Sequence, residues 1–484
     1  MTATRTRVFL TGATGNWGRK ALAEFAERAD RVDVVALVLP TDKDREVIGP
    51  FADMSNLEVV YGDLTDPAAV GRCVRGADYV LHVGAVVSPL ADEHPELART
   101  VNIGSMRTII DAVRAQPDPS AVAVVGIGSV AETGDRRIPR HWGRVGDPLR
   151  VSTYDEYGQT KIVAERELVE SGLPRWAWLR QTGIFHPGML EIRDPIMTHA
   201  VLDEVMEWVT AEDSARLLAD ICEPGVPEEF WGGIYNIGGG EAWRLTNWQL
   251  QQTIAGALGV RDIRRWYERR WFATRNFHGQ WYSDSDRLQE LVPFRRDTVE
   301  QAVARAVATL PRSVRMAGRV PAFVVRNLVM KPLAHRPRGT MAYVEAGDEA
   351  GVAAFYGSRA DFEAIGDWST FVPPRPDPTT PTLLDHGYDE SKAPDAWTRD
   401  DLADAADFRG GALLTEDVPV GAVALPLDWR CAEDHTFTAS PRLVLTGGHW
   451  CPTCVTRPTE YARQAERNPF LAQIELPTRQ ASAV

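Results

Sequence analysis

Thr11-Gly-Ala-Thr-Gly-Asn-Trp-Gly18 follows the apolar run Val8-Phe-Leu10 and leads into a helical pattern. A strand that turns on glycines into a helix gathers unpaired backbone N–H groups and the positive helix end at one point, which suits a pyrophosphate. Glycines at 12, 15 and 18 allow close backbone approach and tight packing of helix on strand. Such a turn is common by itself, so its weight comes from its surroundings. Short apolar runs recur at 34–39, 57–61, 79–83, 122–127 and 176–179, separated by amphipathic stretches at 18–28, 67–74, 99–115 and 157–171. Buried strands alternating with helices predict an α/β fold, a doubly wound parallel Rossmann sheet over about 6–190.

A second motif lies downstream. Tyr157-Gly-Gln-Thr-Lys161 places a phenol and an ammonium four residues apart, on one face of a helix. The ammonium can stabilise the phenolate and draw its pKa toward working pH. Ser129 ends the run Ala121-Val-Ala-Val-Val-Gly-Ile-Gly-Ser129 and could share a substrate oxygen with Tyr157. Nucleotide turn and proton-transfer pair thus occur in the order a hydride-transfer enzyme needs.

Further motifs are Tyr61-Gly-Asp-Leu-Thr65 and His82-Val-Gly-Ala85, each closing a strand, and Asn102 opening a helix. With these, residues 6–305 resemble the extended short-chain dehydrogenase/reductases, the superfamily of NAD-dependent epimerases, dehydratases and 3β-hydroxysteroid or dihydroflavonol-type reductases. The resemblance implies that Gly12, Thr14, Gly15, Asn16 and Trp17 line the pyrophosphate, Asp63 and Leu64 face the adenine, and Gly84 and Ala85 lie along the nicotinamide ribose. Asn102 would brace the site. Ser129, Tyr157 and Lys161 would be catalytic, with Tyr157 as general acid–base and Lys161 also holding the ribose. Two departures narrow the chemistry. Sugar-nucleotide 4,6-dehydratases carry Thr-Asp-Glu where this chain has Ser129-Val130-Ala131, so the acids that expel water are missing. Sugar-nucleotide enzymes also place an Asn where this chain has Gly183, in Arg180-Gln-Thr-Gly-Ile-Phe-His-Pro187.

NAD enzymes usually end the second strand with an acid that takes the ribose hydroxyls. Here that place reads Val38-Leu39-Pro40, with Lys43 and Arg45 just beyond, which leans the cofactor from NAD to NADP. A substrate lobe is expected over about 191–310, with helices at 208–221 and 247–258 and a strand at 234–237. Trp266, Trp271, Phe272, Phe277, Trp281 and Tyr282 suit an apolar or aromatic alcohol or ketone. His186, His199 and His278 are candidate pocket groups. The expected activity is an NAD(P)-dependent oxidoreductase acting on a small molecule. The alternatives are an NAD-dependent sugar or NDP-sugar epimerase, and a non-catalytic NAD(P)-sensing regulator.

Residues 311–398 read as a basic connecting segment followed by a Pro-rich linker at 373–381. Seven Lys/Arg and no acid fall within 312–338, interleaved with apolar residues. Either the stretch grips an anionic membrane, or its apolar side packs on the first unit and its arginines meet an acidic protein. From 399 to 484 the spacing Cys431-x3-His435, then Cys451-x2-Cys454, suits tetrahedral structural Zn²⁺ with no open position. This unit resembles treble-clef zinc-ribbon modules, with His449 as the alternative nitrogen ligand. Residues 401–484 hold seven Arg against eleven acids, so docking on the first unit, a partner or a second subunit is expected rather than nucleic acid. Cys73 and Cys222 lie in helical patterns and read as buried.

The net charge of −14 likewise excludes bulk electrostatic binding of nucleic acid. No run of 18 apolar residues predicts a membrane span, and no signal-peptide pattern opens the chain. A cytoplasmic protein, with a homodimer as its candidate assembly, is the resulting expectation.

Overall fold

Val8 and Leu10 pack on one side of the first strand and Phe9 on the other. The same alternation divides Val34, Ala36 and Val38 from Val35 and Leu37, and Ala177 and Leu179 from Trp176 and Trp178. Strands buried on both faces must be apolar at every position, which is why they read as unbroken runs. The computed structural model describes residues 5–191 and 195–480. Its central sheet has seven strands: β1 (Thr6–Thr11), β2 (Val32–Val38), β3 (Leu57–Tyr61), β4 (Tyr79–His82), β5 (Ala123–Ser129), β6 (Trp176–Gln181) and β7 (Gly233–Ile237). All pair in parallel, in the order β3-β2-β1-β4-β5-β6-β7. The order reverses between β1 and β4, the place where open α/β sheets bind ligands.

Helix α1 (Asn16–Ala26) covers one face; α2 (Pro67–Val74), α3 (Gly104–Arg114) and α4 (Glu156–Val169) cover the other. Helix α5 (Ala211–Ile221) joins α1 on the first face. It is shorter than the predicted 208–221, because Val209–Thr210 pairs with Ile184–Phe185 instead. Gly126 leaves room for the Trp178 indole to lie across β5; a Cβ there would stand 2.5 Å from the ring. Cys73 and Cys222 are buried in the two faces.

The lobe core gathers α6 (Asn247–Ala257) and α7 (Val299–Thr309) around Trp208, Trp243, Trp266 and Trp271. Residues 312–364, expected as part of a connector, are largely helical and belong to this core through Val325, Met330, Leu333, Val352, Phe355 and Phe362. Apolar residues spaced for the lobe's surface decide this, and only the stretch after Phe371 is irregular.

The C-terminal module contains an antiparallel meander, β8 (Ala412–Leu413), β9 (Leu427–Arg430) and β10 (Thr436–Ala439). Trp429, Leu443, Val444 and Leu445 share one core with Trp178 and Ile234 of the sheet. The module therefore docks on the dinucleotide unit of its own chain. Among the described residues no helix is long and apolar enough to cross a membrane.

Candidate functional site

Gly12 and Gly84 meet at the switch between β1 and β4. Gly12 has φ +70°, and a Cβ on it would stand 2.7 Å from the Gly84 nitrogen. Glycine is required there by both conformation and contact. Thr11 holds the two turns together: its hydroxyl accepts from the Gly84 N–H at 2.9 Å and bonds His82 Nδ1 at 3.0 Å. Ser105 of α3 takes the other His82 nitrogen at 3.0 Å. Burial, with Lys161 nearby, lowers His82 to about 3, so it is a neutral strut. Gly15 caps α1 without a side chain, leaving the first-turn N–H groups toward the cavity.

That cavity, about 760 Å³, is lined by every sequence-derived dinucleotide residue except Asn102: Gly12, Thr14, Gly15, Asn16, Trp17, Asp63, Leu64, Gly84 and Ala85, with Tyr157 and Lys161. Ser129 is on the same wall. Asn102 lies behind it. Its side chain bonds the Val86 N–H at 2.8 Å and carbonyl at 2.9 Å, and donates to Thr160 of α4 at 2.9 Å. It thereby ties the β4 turn to the helix carrying Tyr157 and Lys161.

The trio sits where β5 ends and α4 begins. Asp155 caps α4 by accepting from the Gly158 N–H at 2.7 Å. Ser129 is held by a reciprocal cap: its N–H donates to Glu132 Oε1 at 2.7 Å, and its hydroxyl accepts from the Ala131 N–H at 3.1 Å. Burial pushes the Tyr157 phenol above its ordinary value, Glu132 adds to this, and the Ser129 hydrogen bond opposes it. Lys161, lowered to about 8 by burial against the pull of Glu132, donates to the Ile127 carbonyl at 2.7 Å. Its Nζ is 5.7 Å from the Tyr157 ring centroid. The expected lowering of the phenol by Lys161 is thus absent from this arrangement, because burial acts on both groups and the ammonium is aimed at the backbone.

Asp44 and Gln181 line the cavity without having carried a sequence signal, whereas His186 reaches it as the sequence suggested. Asp44 lines it and accepts from the Thr14 hydroxyl at 2.7 Å. Arg45, one residue on, lies 4.0 Å over the Tyr61 ring. Gln181 Oε1 is buried at the wall with no hydrogen-bond partner among the described residues. His186 lines the cavity 3.4 Å from Asn16. His199 instead bonds the Arg338 carbonyl at 2.6 Å, and His278 stands 3.6 Å from Asp155. Glycine turns without Cβ atoms, a bare helix N-terminus and an unpaired amide oxygen are what a dinucleotide would require.

The departures from the sugar-nucleotide pattern have structural reasons. A side chain at Gly183 would collide with Met206 and the Trp208 ring. Glu132, the acid nearest the missing pair, points away from the cavity into a fully buried ion chain. Arg180 donates to Glu165 at 2.9 and 2.6 Å, lies 3.4 Å from Glu132, and donates to the Gly447 carbonyl at 2.6 Å. His449 Nε2 bonds Glu165 at 3.0 Å. Burial beside Glu165 pushes Glu132 well up, whereas Arg180 and His449 hold Glu165 low against its burial.

Beyond Gly188 a second cavity, about 330 Å³, opens in the lobe. It is lined mostly by apolar groups, including Met189, Trp208, Ile254, Trp266 and Phe277. Of the six aromatics singled out by sequence, only Trp266 and Phe277 reach it. Trp271, Phe272, Trp281 and Tyr282 are packed in the interior, where their size is used for burial.

Cys431, His435, Cys451 and Cys454 bring their ligand atoms within 4.8 Å of one another. Sγ of Cys431 and Cys454 are 3.8 Å apart, and His435 Nδ1 lies 3.5, 3.6 and 3.4 Å from the three sulfurs. A tetrahedral zinc with bonds of about 2.3 Å to sulfur and 2.0–2.1 Å to nitrogen has edges of roughly 3.5–3.8 Å. The donor set fits. His449, the alternative ligand, is committed to Glu165.

Residues 12–221 match the family model described as NAD(P)H-binding. The chain is similar to a ceramide reductase of Caulobacter vibrioides, 25% identical over 227 residues, covering 45% of this chain and 62% of that protein. It is also similar to a 3β-hydroxysteroid dehydrogenase/Δ5→4-isomerase of Mycobacterium tuberculosis, 26% identical over 231 residues, covering 44% and 55%. The chain thus spans less than two thirds of the length of either curated relative. Among solved structures, dTDP-glucose 4,6-dehydratase of Bacillus anthracis in complex with NAD superposes with a TM-score of 0.50 at 15% identity, covering 68% of this chain and 99% of that one. The match to an NAD(P)H-binding family thus covers the stretch from the glycine turn through α5, less than half of the chain. The seven-stranded sheet of residues 6–237 and its flanking helices share the fold of that dehydratase.

Proposed function

We propose that the protein is an NAD(P)-dependent oxidoreductase, exchanging hydride with a carbonyl or secondary alcohol of an apolar substrate. The observation that carries this reading is the convergence of Ser129, Tyr157 and Lys161 on the cavity that the glycine turns also line. Bound dinucleotide supplies the hydride donor or acceptor. Tyr157 gives its phenolic proton to the substrate oxygen in reduction and takes it back in oxidation. Ser129 orients that oxygen. Lys161, charged below about pH 8, holds the ribose. The apolar lobe cavity two residues beyond His186 supports an alicyclic, aromatic or long-chain substrate. The collision at Gly183 and the turned-away Glu132 argue against sugar-nucleotide epimerisation and dehydration.

For the cofactor, Asp44 is the polar side chain of the second-strand loop that faces the cavity, while Arg45 is stacked on Tyr61. A carboxylate suits ribose hydroxyls and repels a 2′-phosphate, so this reading favours NAD over the NADP inclination drawn from Lys43 and Arg45. The Cys/His cluster is read as a closed structural zinc site. Transfer of deuterium from [4-²H]NADH to an apolar ketone tests the activity. No transfer from either reduced dinucleotide, across alicyclic, aromatic and long-chain ketones, would overturn it. Protein that carries bound NAD and turns over without added cofactor would point to the epimerase instead.

A further inference from the structure

The stretch from Ala322 to Ala334 faces two ways. Val325, Met330, Leu333 and Ala334 are buried in the lobe core. On the outside, Phe323 is 65% exposed, Leu328 73% and Val329 45%. Met316 and Val320, immediately before, are exposed as well. A helix on a water-facing surface ordinarily turns one apolar stripe inward and a polar face outward. Scattered exposed apolar residues need no explanation, but a group of large ones on one short segment marks a contact surface.

The charges around this group sharpen its character. Residues 312–338 contain no acid. Arg338 pairs with Glu93, whereas Arg312, Arg315, Arg319, Arg326 and Lys331 make no ion pair among the described residues. This contrasts with arginines such as Arg28, Arg107 and Arg180, each paired with acids. Those five cations therefore meet no acid among the described residues. The net charge of −14 would repel an anionic surface from most directions, so a local cationic face would also set the orientation of approach.

We propose that this face docks on an anionic phospholipid bilayer. Phe323, Leu328 and Val329 enter the boundary between headgroups and acyl chains, and the flanking arginines and Lys331 meet lipid phosphates. An acidic protein would neutralise the cations but gives no reason for bulky apolar tips to stand among them. Met330, on the inner side of the same stretch, forms part of the lobe cavity wall. A substrate dissolved in the bilayer would then have a short path to that cavity. This last consequence rests on the hydride-transfer reading; the docking does not.

The test is co-sedimentation of the full chain with vesicles of phosphatidylcholine alone and of phosphatidylcholine mixed with phosphatidylglycerol. Binding is expected only to the mixed vesicles, weakened by salt. The double variant Phe323→Ser/Leu328→Ser should lower partitioning at least about tenfold, and so should Arg319→Glu/Lys331→Glu. Both pairs are at the surface, so unchanged thermal unfolding and unchanged turnover of a water-soluble ketone, if the protein turns one over, separate docking from folding and catalysis. Absence of binding to mixed vesicles overturns the proposal. Binding that the apolar pair leaves untouched, with equal capture on a soluble polyanion such as heparin, overturns it too and indicates a purely ionic partner.

Discussion

The trio at Ser129, Tyr157 and Lys161 and the cluster at Cys431, His435, Cys451 and Cys454 are each drawn from a short span of the chain, but they are built oppositely. The trio opens on a large cavity, and Lys161 is held there by a backbone contact that a ligand could replace. The cluster is closed, each donor atom facing the others. On the proposed reading, one arrangement leaves groups free to exchange protons and the other would hold a structural metal. The two are joined by a buried chain from the Ser129 N–H through Glu132, Arg180 and Glu165 to His449, two residues from Cys451. The closed site therefore has a physical route by which it can steady the open one.

The largest effect should come from emptying the closed site. Structural zinc contributes on the order of 10 kcal/mol where it completes a fold. Chelation, or Cys454→Ser, should therefore lower the thermal midpoint sharply, with zinc restoring the native protein but not the variant. Protein with intact thiols and no zinc by metal analysis would break the comparison at its base.

Next is the open site. Tyr157→Phe should cut turnover by about 10²–10⁴-fold while leaving dinucleotide affinity unchanged, read by steady-state rates and fluorescence titration. An active variant would remove Tyr157 from the chemistry. Between the two sites, Arg180→Met leaves two buried carboxyl groups without their cation, at a cost of about 3–5 kcal/mol in denaturant unfolding. If stability and turnover both stay at the parent values, the chain does not connect the sites.

The smallest effect is a titration. Lys161 has its pKa lowered to about 8, so its ammonium is present below that pH and lost above it. The ammonium is the form that donates to ribose oxygens. Dinucleotide affinity should therefore fall as pH rises through 8, by roughly tenfold per pH unit at most. Lys161→Met should bind more weakly at neutral pH and lose this dependence. A pH-independent affinity in the parent protein would leave Lys161 as a structural donor to Ile127.

Much of the dinucleotide unit was legible because its signals are local. A glycine between strand and helix, and a Tyr four residues before a Lys, need only neighbours in sequence to be recognised. Asp44 and Gln181 were not legible, since what places them in the cavity is the convergence of different loops at one sheet edge. The aromatics from Trp266 to Tyr282 misled for the same reason: hydrophobicity announces burial without saying whether a ring faces a cavity or a neighbour. His435 and His449 both lie close to cysteines in the chain. Glu165, on a helix nearly three hundred residues earlier, takes His449 away from the cluster.

The connecting region shows the same division. Its charge and apolar content are plain in the sequence. Only the packed lobe shows that Met330 faces inward while Phe323 and Leu328 face out. By itself, the sequence determined the alternation of strands and helices, the glycine turn, the proton-transfer pair and the metal-ligand spacing, because each depends on short-range geometry and side-chain chemistry. Tertiary structure alone decided which side chains share a cavity, why position 183 must be glycine, and how the C-terminal Cys/His module reaches the strand that ends at Ser129. Those are questions of distance between segments remote in the chain, and only packing sets such distances.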